Sequence, residues 1–356
     1  MSRETFYIGM DLGTFKTSVM ASNAKRSSLY TAVGWPRDHV ARAMLGRDVI
    51  FGEDVVQQRM ALDVVRPFNK GSLKYVPGNP EDATDIERSK HAAKLLVNHA
   101  VSLMNPPAGA AIYGVIGAPS RASIENKQVI MEAAQEAFDA VVIAAEPFTV
   151  AYGMDQLKDT VVIDIGAGTI DICPLYGAYP KDEDQVTISI GGDSVDECFL
   201  KLLQQQFPEA QVTLNMAREI KEKHGFVHDV NESAIVSLPV NGRPQKFDVT
   251  DSLKEACGSL VDPIIEGLQE VIAKFDPEFQ SQLLQTVLLA GGGSQLKGLD
   301  QLVEQGLQPF CAGVNVQKVY DSCYAGAAGA LKLAMNMPDD YWQKLENSGT
   351  LQQDAA

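Results

Sequence analysis

The sequence has few cysteines and no long apolar run. Its five cysteines are an odd number and none are spaced as CxxC, so neither a disulfide framework nor a cysteine-based zinc site is indicated. No stretch reaches the roughly 20 apolar residues of a membrane-spanning helix, and the first residues lack the apolar core of a secretory signal. These absences predict a soluble, cytoplasmic protein with reduced thiols and no direct membrane insertion.

Positive charge is also scarce. The 356 residues include 30 lysines and arginines against 46 aspartates and glutamates, which gives a formal net charge of −16. An acidic surface repels both a phosphate backbone and an anionic membrane. We therefore expect no nucleic-acid partner, and any self-association should depend on salt.

The common nucleotide-binding motifs are missing as well. Neither GxxxxGK(S/T) nor GxGxxG occurs anywhere in the chain, so a P-loop and a dinucleotide-binding fold have no support. The composition is ordinary for a globular protein, with 45% hydrophobic residues. A length of 356 residues suits two domains or one bilobed body.

An internal repeat is present instead. Within residues 8–14, an apolar run ends in Asp11 and a glycine lies two residues further on. Residues 162–169 repeat this pattern around Asp164, 153 positions later. A second apolar stretch follows each time, which predicts two β-hairpins with the aspartate beside the turn. Two such hairpins half a chain apart indicate a duplicated domain.

The segments between the hairpins predict alternating strands and helices, and hence an α/β fold. A capping-box pattern at Thr84 predicts a helix start, and Ser123 is expected to cap a helix that continues to Phe138. The remaining predictions are strands at 112–116, 141–144 and 287–290, a loop at 117–119, one long helix from Thr250 to 272, and a helix from Ser294 to about 307.

The first turn has the chemistry of a phosphate site. Gly13 allows close approach to the backbone, Thr14 adds a hydroxyl donor, and Lys16 can supply a positive charge. Asp11 would repel phosphate unless a cation lay between them, and Mg²⁺ held largely through water would serve. The alternative is a plain hairpin turn.

The second turn repeats this logic. Asp164 ends an apolar stretch and is followed by Gly166, Ala167, Gly168 and Thr169. Glycines weaken a strand pair, so their presence here needs an explanation. Close approach of a phosphate to the backbone would explain it. The two turns together favour a shared Mg-phosphate site over a pair of purely structural hairpins.

A third glycine cluster follows the strand predicted at 287–290. Gly291, Gly292 and Gly293 precede Ser294, and a strand end of this kind can hold an anion or the flat ring of an adenine. The alternative is a flexible connector. His224 and His228 lie four residues apart, but Gly225 and the lack of a third ligand nearby favour a surface position over a metal site.

These motifs, in this order, resemble the superfamily of actins, sugar kinases and chaperone ATPases. The segments at 145–153, 164–169 and 338–342 are similar to bacterial actins, particularly to those that organise magnetosomes. The resemblance implies duplicated actin-like, ribonuclease-H-like domains on either side of a nucleotide cleft. Domain I would comprise 1–145 and 325–356, with an insertion at about 34–70, and domain II 146–324, with an insertion at about 191–258.

The resemblance also implies roles for single residues. Glu146 matches the acidic residue that positions or activates the attacking water. Lys221 and Glu222 match a pair that borders adenine and ribose, although a charged run is usually a solvated helix face. Gly191 and Gly192 match the loop on the ribose side, and residues 325–327 match the second connecting helix.

Two positions depart from the family pattern. Ile170 stands where relatives often carry threonine, so one hydroxyl contact to the terminal phosphate is in doubt, and Asp171 could compensate by orienting water. Lys16 occupies a variable position of the first turn.

The family implies an ATPase that binds ATP or ADP with Mg²⁺, assembles with itself into cytoplasmic filaments and works with organelle-associated adaptor proteins. The alternatives are a sugar-type kinase, for which no hydroxyl-activating base is evident, a chaperone ATPase, for which no peptide-binding domain follows, and a binding module without activity. Glu146 and both aspartates argue against the last. The pattern itself predicts neither strand number nor polarity of a filament.

Overall fold

A computed structural model describes residues 3–69, 72–73, 82–120, 122–228 and 233–348. The chain divides into two compact units, the first made of Met1–Leu157 with Cys323–Ala356 and the second of Lys158–Ser322. The sequence-based bounds, 145/146 and 324/325, lie near these divisions, and residues 146–157 fall in the first unit rather than the second.

The first unit is built on a five-stranded mixed sheet of order β10-β9-β1-β2-β3. Strand β1 pairs antiparallel with β2, as the first hairpin predicts, and parallel with β9, which pairs parallel with β10. The strands are β1 (Thr5–Leu12), β2 (Lys16–Ala21), β3 (Arg26–Tyr30), β4 (Val33–Pro36), β5 (Ile50–Phe51), β6 (Leu62–Val65), β7 (Phe68–Asn69), β8 (Ser72–Leu73), β9 (Ala111–Ala118) and β10 (Ala140–Ala145).

The helices of this unit are α1 (His39–Leu45), α2 (Glu53–Gln57), α3 (Asp82–Leu103), α4 (Ile124–Ala134) and α5 (Glu146–Gly153), and from the end of the chain α12 (Ala325–Asn336) and α13 (Asp339–Ser348). Apolar side chains of α3 and α4 complete one core with the central strands. The segment predicted as a small insertion holds α1, α2 and a three-stranded sheet of order β5-β4-β6, with a small core of its own.

Helices α5 and α12 cross with their backbones in direct contact. A Cβ atom on Gly329 would overlap the carbonyl oxygen of Thr149, and one on Gly153 would lie 3.0 Å from the Gly329 Cα. Only glycine fits at such a crossing, because any side chain would push the helices apart. This backbone contact fixes the position of α5 relative to α12 within the first unit.

The second unit repeats the central arrangement. Its sheet has the order β13-β12-β11-β16-β17, and its first strand again lies between an antiparallel hairpin partner and a parallel neighbour. The strands are β11 (Lys158–Ile165), β12 (Ile170–Tyr176), β13 (Val186–Ile188), β14 (Ile235–Val240), β15 (Arg243–Asp248), β16 (Thr286–Ala290) and β17 (Asn315–Lys318). The predicted duplication and the α/β class are confirmed.

The helices of the second unit are α6 (Gly192–Gln206), α7 (Leu214–His224), α8 (Thr250–Gly258), α9 (Val261–Ile272), α10 (Pro277–Leu283) and α11 (Leu299–Leu307). The segment predicted as its larger insertion contains α6, α7, the hairpin β14–β15 and α8. Their apolar faces join one core with β11, β12 and β16.

Several predicted bounds were wrong. Helix α3 begins at Asp82, so the capping-box residues lie inside the helix, and α4 ends at Ala134, four residues before Phe138. Residues 117–118, predicted as loop, continue strand β9 because both pair with the neighbouring strand β10.

Two helix predictions in the second unit were also wrong. The predicted helix from Thr250 to 272 is two helices, with a break at Ser259 and Leu260. Ser294 lies within a 3₁₀ turn rather than at a helix start, and α11 begins after Gly298, whose φ of 81° is easily adopted only by glycine.

Candidate functional site

The first turn connects β1 to β2 and is held by a threonine that the sequence did not single out. Thr31 donates its hydroxyl to the Gly13 carbonyl at 2.7 Å and its N–H to the Phe15 carbonyl at 2.8 Å. The hydroxyl groups of Thr17 and Thr31 lie 2.9 Å apart and are buried. These bonds fix the main chain on both sides of Thr14. The main-chain N–H groups of this turn therefore point in a fixed direction.

Asp11 is the last but one residue of β1 and lies opposite Ser18 of the hairpin partner. A Cβ atom on Gly326 would lie 2.6 Å from its Oδ2 atom, which places the carboxylate against the first turn of α12. Surrounding protein atoms remove water from the carboxyl group and raise its pKa from 3.8 to about 6. Holding an anion here at neutral pH therefore lowers the stability of the fold.

Glu146 is the first residue of α5 and is 9% exposed. Its Cγ lies 3.3 Å from where a Gly117 Cβ would be, at the end of β9, and its carbonyl accepts a hydrogen bond from Thr149 Oγ1 at 2.8 Å. Strands β1, β9 and β10 are parallel, so Asp11 and Glu146 both follow carboxyl ends at one edge of the sheet. Ligands of open α/β sheets bind at this edge.

Lys16 lies on β2 rather than in the turn, and its side chain is exposed. Its amine lies 5.8 Å from the ring centroid of Tyr30, the residue that it faces on β3. This cation–π contact gives Lys16 a position beside the turn. A phosphate contact from it stays a prediction.

In the second unit, Asp164 is the last but one residue of β11 and is largely buried. The Gly166 N–H donates to the Thr169 carbonyl at 2.9 Å, which closes the turn around Ala167 and Gly168. The Gly192 N–H donates to the Gly166 carbonyl at 3.0 Å. The turn and the loop at 191–192 are thus joined by their main chains.

The two unusual positions after the second turn have clear locations. Ile170 is fully buried in the core of the second unit. Asp171 lies directly opposite Asp164 in the antiparallel register and accepts a hydrogen bond of 2.6 Å from Thr187 Oγ1. Side chains opposite each other in a hairpin share one face of the sheet, so two carboxylates meet there.

The third glycine cluster packs against the same strand end. A Cβ atom on Gly291, whose φ is 73°, would overlap the Asp164 carboxylate, and one on Gly293 would overlap the Ile165 side chain. A Cβ atom on Gly292 would meet nothing within 4 Å. Buried Ser294 donates to the Gly291 carbonyl at 2.7 Å. Packing thus accounts for two of the three glycines, and Gly292 leaves a flat open surface.

Helix α7 presents a buried charge cluster that the sequence did not predict. Lys221 contacts the Asp196 carboxylate at 2.6 Å and donates to the Gly192 carbonyl at 2.7 Å. Arg218 bridges Asp196 and Asp193, each at 2.8 Å. Lys221 is therefore not part of a solvated helix face, whereas Glu222 is exposed. The equal i,i+3 spacing of the acids on α6 and of the bases on α7 was the available signal.

Two negative findings bear on other kinds of site. Within the described ranges, no group of three or more His, Cys, Asp or Glu side chains could hold a metal ion, and His224 and His228 belong to no such group. No helix in the described part of the chain is long and apolar enough to cross a membrane.

Residues 5–339 match the family described as MreB/Mbl protein. The chain belongs to the MreB/Mbl family. It is therefore a bacterial actin-like protein, and the resemblance and the fold class inferred from the sequence are confirmed.

Relatives of this MreB/Mbl member include proteins named MamK and MamK-like protein. It is 38% identical over 344 residues to "Actin-like protein MamK" of Paramagnetospirillum magneticum, which covers 97% of this chain and 96% of the relative. The protein of the same name from Magnetospirillum gryphiswaldense is also 38% identical, with coverage of 97% and 93%. A "MamK-like protein" of P. magneticum is 30% identical, with coverage of 97% and 98%.

Solved structures agree. The structure titled "MamK double helical filament" matches with a TM-score of 0.89 at 37% identity and covers 94% of this chain and 100% of that one. A structure of a non-polymerising MamK mutant bound to AMPPNP matches with a TM-score of 0.71 at 37% identity, with the same coverage.

Proposed function

We propose that this protein is an actin-like ATPase that binds Mg-ATP and assembles into filaments. The observation that carries the proposal is the repeated geometry of the two units. In each, an aspartate is the last but one residue of the first hairpin strand, a glycine turn follows, and both lie at the carboxyl edge of the sheet. The relative bound to AMPPNP supports an adenine nucleotide as the ligand.

Each turn, at Gly13–Thr14 in the first unit and at Gly166–Thr169 in the second, is proposed to offer main-chain N–H groups to phosphate. Gly292 offers open space for the nucleoside, with Gly191, Lys221 and Glu222 on the ribose and base side. Contacts within the protein already explain why some of these residues are present. The proposed nucleotide contacts of Lys221 and Glu222 therefore rest on the family resemblance.

The donor set fits Mg²⁺. Asp11 and Asp164 offer the hard oxygen ligands that Mg²⁺ prefers, but among the described residues no group of three or more such side chains could hold an ion. Such a metal would be held mainly through nucleotide phosphate and water, with the aspartates orienting that water. When bound, Mg²⁺ neutralises the charge of the phosphates.

Glu146 is proposed to activate the attacking water. Its carboxylate lies at the same sheet edge as Asp11, where it could accept the proton of a water directed at the terminal phosphate. ATP would favour the assembled state, and hydrolysis with phosphate release would weaken it, as a shift between two populations. The related structures of MamK filaments support assembly. The resemblance to bacterial actins that organise magnetosomes suggests a role in organising magnetosomes or a similar organelle in the cytoplasm, with adaptor proteins.

Sedimentation with and without Mg-ATP tests the proposal when combined with phosphate release. Wild type and Glu146→Ala should both pellet with ATP, and the variant should lose about 10²–10⁴-fold in phosphate release. Glu125→Ala is the matched control, because Glu125 lies in the first turn of another helix of the same unit.

The outcomes separate the parts of the proposal. A wild type that never pellets across salt and protein concentration refutes the filament function. A Glu146→Ala variant that releases phosphate at the rate of the Glu125→Ala control refutes the catalytic role.

A further inference from the structure

The buried charge cluster of α6 and α7 is bonded directly to the second turn. The Asp193 N–H donates to the Ala167 carbonyl at 2.8 Å, and its carboxylate receives Arg218. The Gly192 N–H bonds to the Gly166 carbonyl, and the Gly192 carbonyl receives Lys221. Two parallel chains of bonds therefore connect α7 to the main chain of the turn.

Asp196 is the centre of this cluster. It is fully buried, and it holds Lys221 with one carboxylate oxygen and Arg218 with the other, at 2.6 and 2.8 Å. Burying a carboxylate and two cations costs free energy unless their contacts compensate for the lost water, so stability alone is a weak reason for this cluster. Its contacts can instead fix the positions of α6 and α7.

We propose that Asp196 and Arg218 are positioning residues of the nucleotide site. They hold Asp193 and Lys221, which in turn hold the carbonyl groups of Gly192, Gly166 and Ala167 in the orientation that directs the N–H groups of the second turn at a phosphate. This inference rests on the proposed nucleotide binding. It also makes Lys221 a link between α6 and α7, since its amine donates to the Gly192 carbonyl and forms an ion pair with Asp196.

Arginine is required for this role. Arg218 reaches Asp196 with Nε and Asp193 with Nη2, two donors held apart on one rigid plane, whereas the donors of lysine share a single compact nitrogen. Arg218→Lys keeps the charge and should keep the fold, but it releases one carboxylate. The turn then loses part of its support.

A matched control exists in the first unit. Arg3 also bridges two carboxylates, those of Asp139 and Glu346, at 3.0 and 3.1 Å. Arg3→Lys therefore makes the same substitution at another arginine that contacts two carboxylates, here with one nitrogen and about half exposed, away from any residue of the proposed site. A milder second variant is Asp193→Asn, since Asp193 is partly exposed and its main-chain bond to Ala167 stays intact.

The experiment is calorimetric titration of full-length protein with Mg-ATP and Mg-ADP, together with a thermal melt of each variant. Arg218→Lys and Asp193→Asn should lower the affinity for both nucleotides about tenfold or more. Their melting temperatures should stay close to that of the wild type. Arg3→Lys should bind both nucleotides like the wild type.

Each result decides something. Unchanged affinity in both Arg218→Lys and Asp193→Asn, with a wild type that binds, overturns the positioning role and leaves the proposed function standing. A wild type that binds neither nucleotide overturns the proposed function itself. If Arg218→Lys does not fold, the affinity of Asp193→Asn decides alone.

Discussion

Replacing Asp11 by asparagine should make the ligand-free protein more stable while it removes the affinity for Mg-ATP. Surrounding protein raises the pKa of the Asp11 carboxyl group from 3.8 to about 6 because the ionised form loses water. Folding must therefore oppose the ionisation of Asp11 at neutral pH. Asparagine has nearly the same shape and carries no charge.

The magnitude follows from the two pKa values. A difference between 3.8 and about 6 corresponds to about 3 kcal/mol, and partial contact of the residue with solvent reduces this to roughly 2 kcal/mol. In a unit of this size, each kcal/mol moves the melting temperature by about 2–4 °C. Asp11→Asn should therefore melt about 4–8 °C higher at pH 7.5.

The pH dependence has a definite sign. A raised pKa means that the folded state binds the proton more tightly, so the destabilisation is complete above pH 6 and disappears as the pH falls toward 3.8. The gain of Asp11→Asn should shrink to about half at pH 5.0.

Thermal melts without nucleotide and with chelator at pH 7.5 and 5.0 provide the measurement. Asp85→Asn, at an exposed site on α3 of the same unit, is the control and should not move the melting temperature. An Asp11→Asn variant that melts no higher than the wild type at pH 7.5, or whose gain is equal at both pH values, refutes the desolvation argument.

Three further substitutions test the packing around the turns. Gly329→Ala should lower stability by about 1–3 kcal/mol through its overlap with Thr149, measured by denaturant unfolding, whereas Gly258→Ala, which meets nothing within 4 Å, should not. Thr31→Val should cost about 1–2 kcal/mol and weaken ATP binding in calorimetry, because it removes the hydroxyl that holds the first turn. Asp171→Asn should raise the chelator-treated melting temperature by relieving a cross-strand repulsion, and an unchanged value would contradict this.

The hairpins could be predicted because their signal is local. An apolar run, an aspartate and a glycine turn lie within about ten residues, and the recurrence of this pattern 153 positions later made each hairpin support the other. The role of Glu146 came from the family resemblance. In the structure it follows strand β10, but no local pattern distinguishes it from an ordinary first-turn glutamate.

Other features could not be predicted because they depend on distant segments. The apolar period of α8 continues into α9 across the break at Ser259, since both helices face the same core, and the pattern therefore gives no sign of a break. Thr31 and Arg218 act through partners 18 and 22–25 residues away, which only the folded chain brings together. Gly329 is required by a helix that lies 180 residues earlier at Thr149.

The two turns have the same strand arrangement, but the residue opposite the aspartate is neutral in the first hairpin and acidic in the second. This difference affects how each turn responds to a cation. Asp11 faces the hydroxyl of Ser18 across its hairpin, whereas Asp164 faces the carboxylate of Asp171. Two carboxylates on one sheet face repel each other in a poorly hydrated site, and a nearby cation relieves that repulsion. The second turn should therefore depend more strongly than the first on the metal that accompanies the nucleotide. The residue across the hairpin, Ser18 in one and Asp171 in the other, therefore makes the two turns unequal toward a cation.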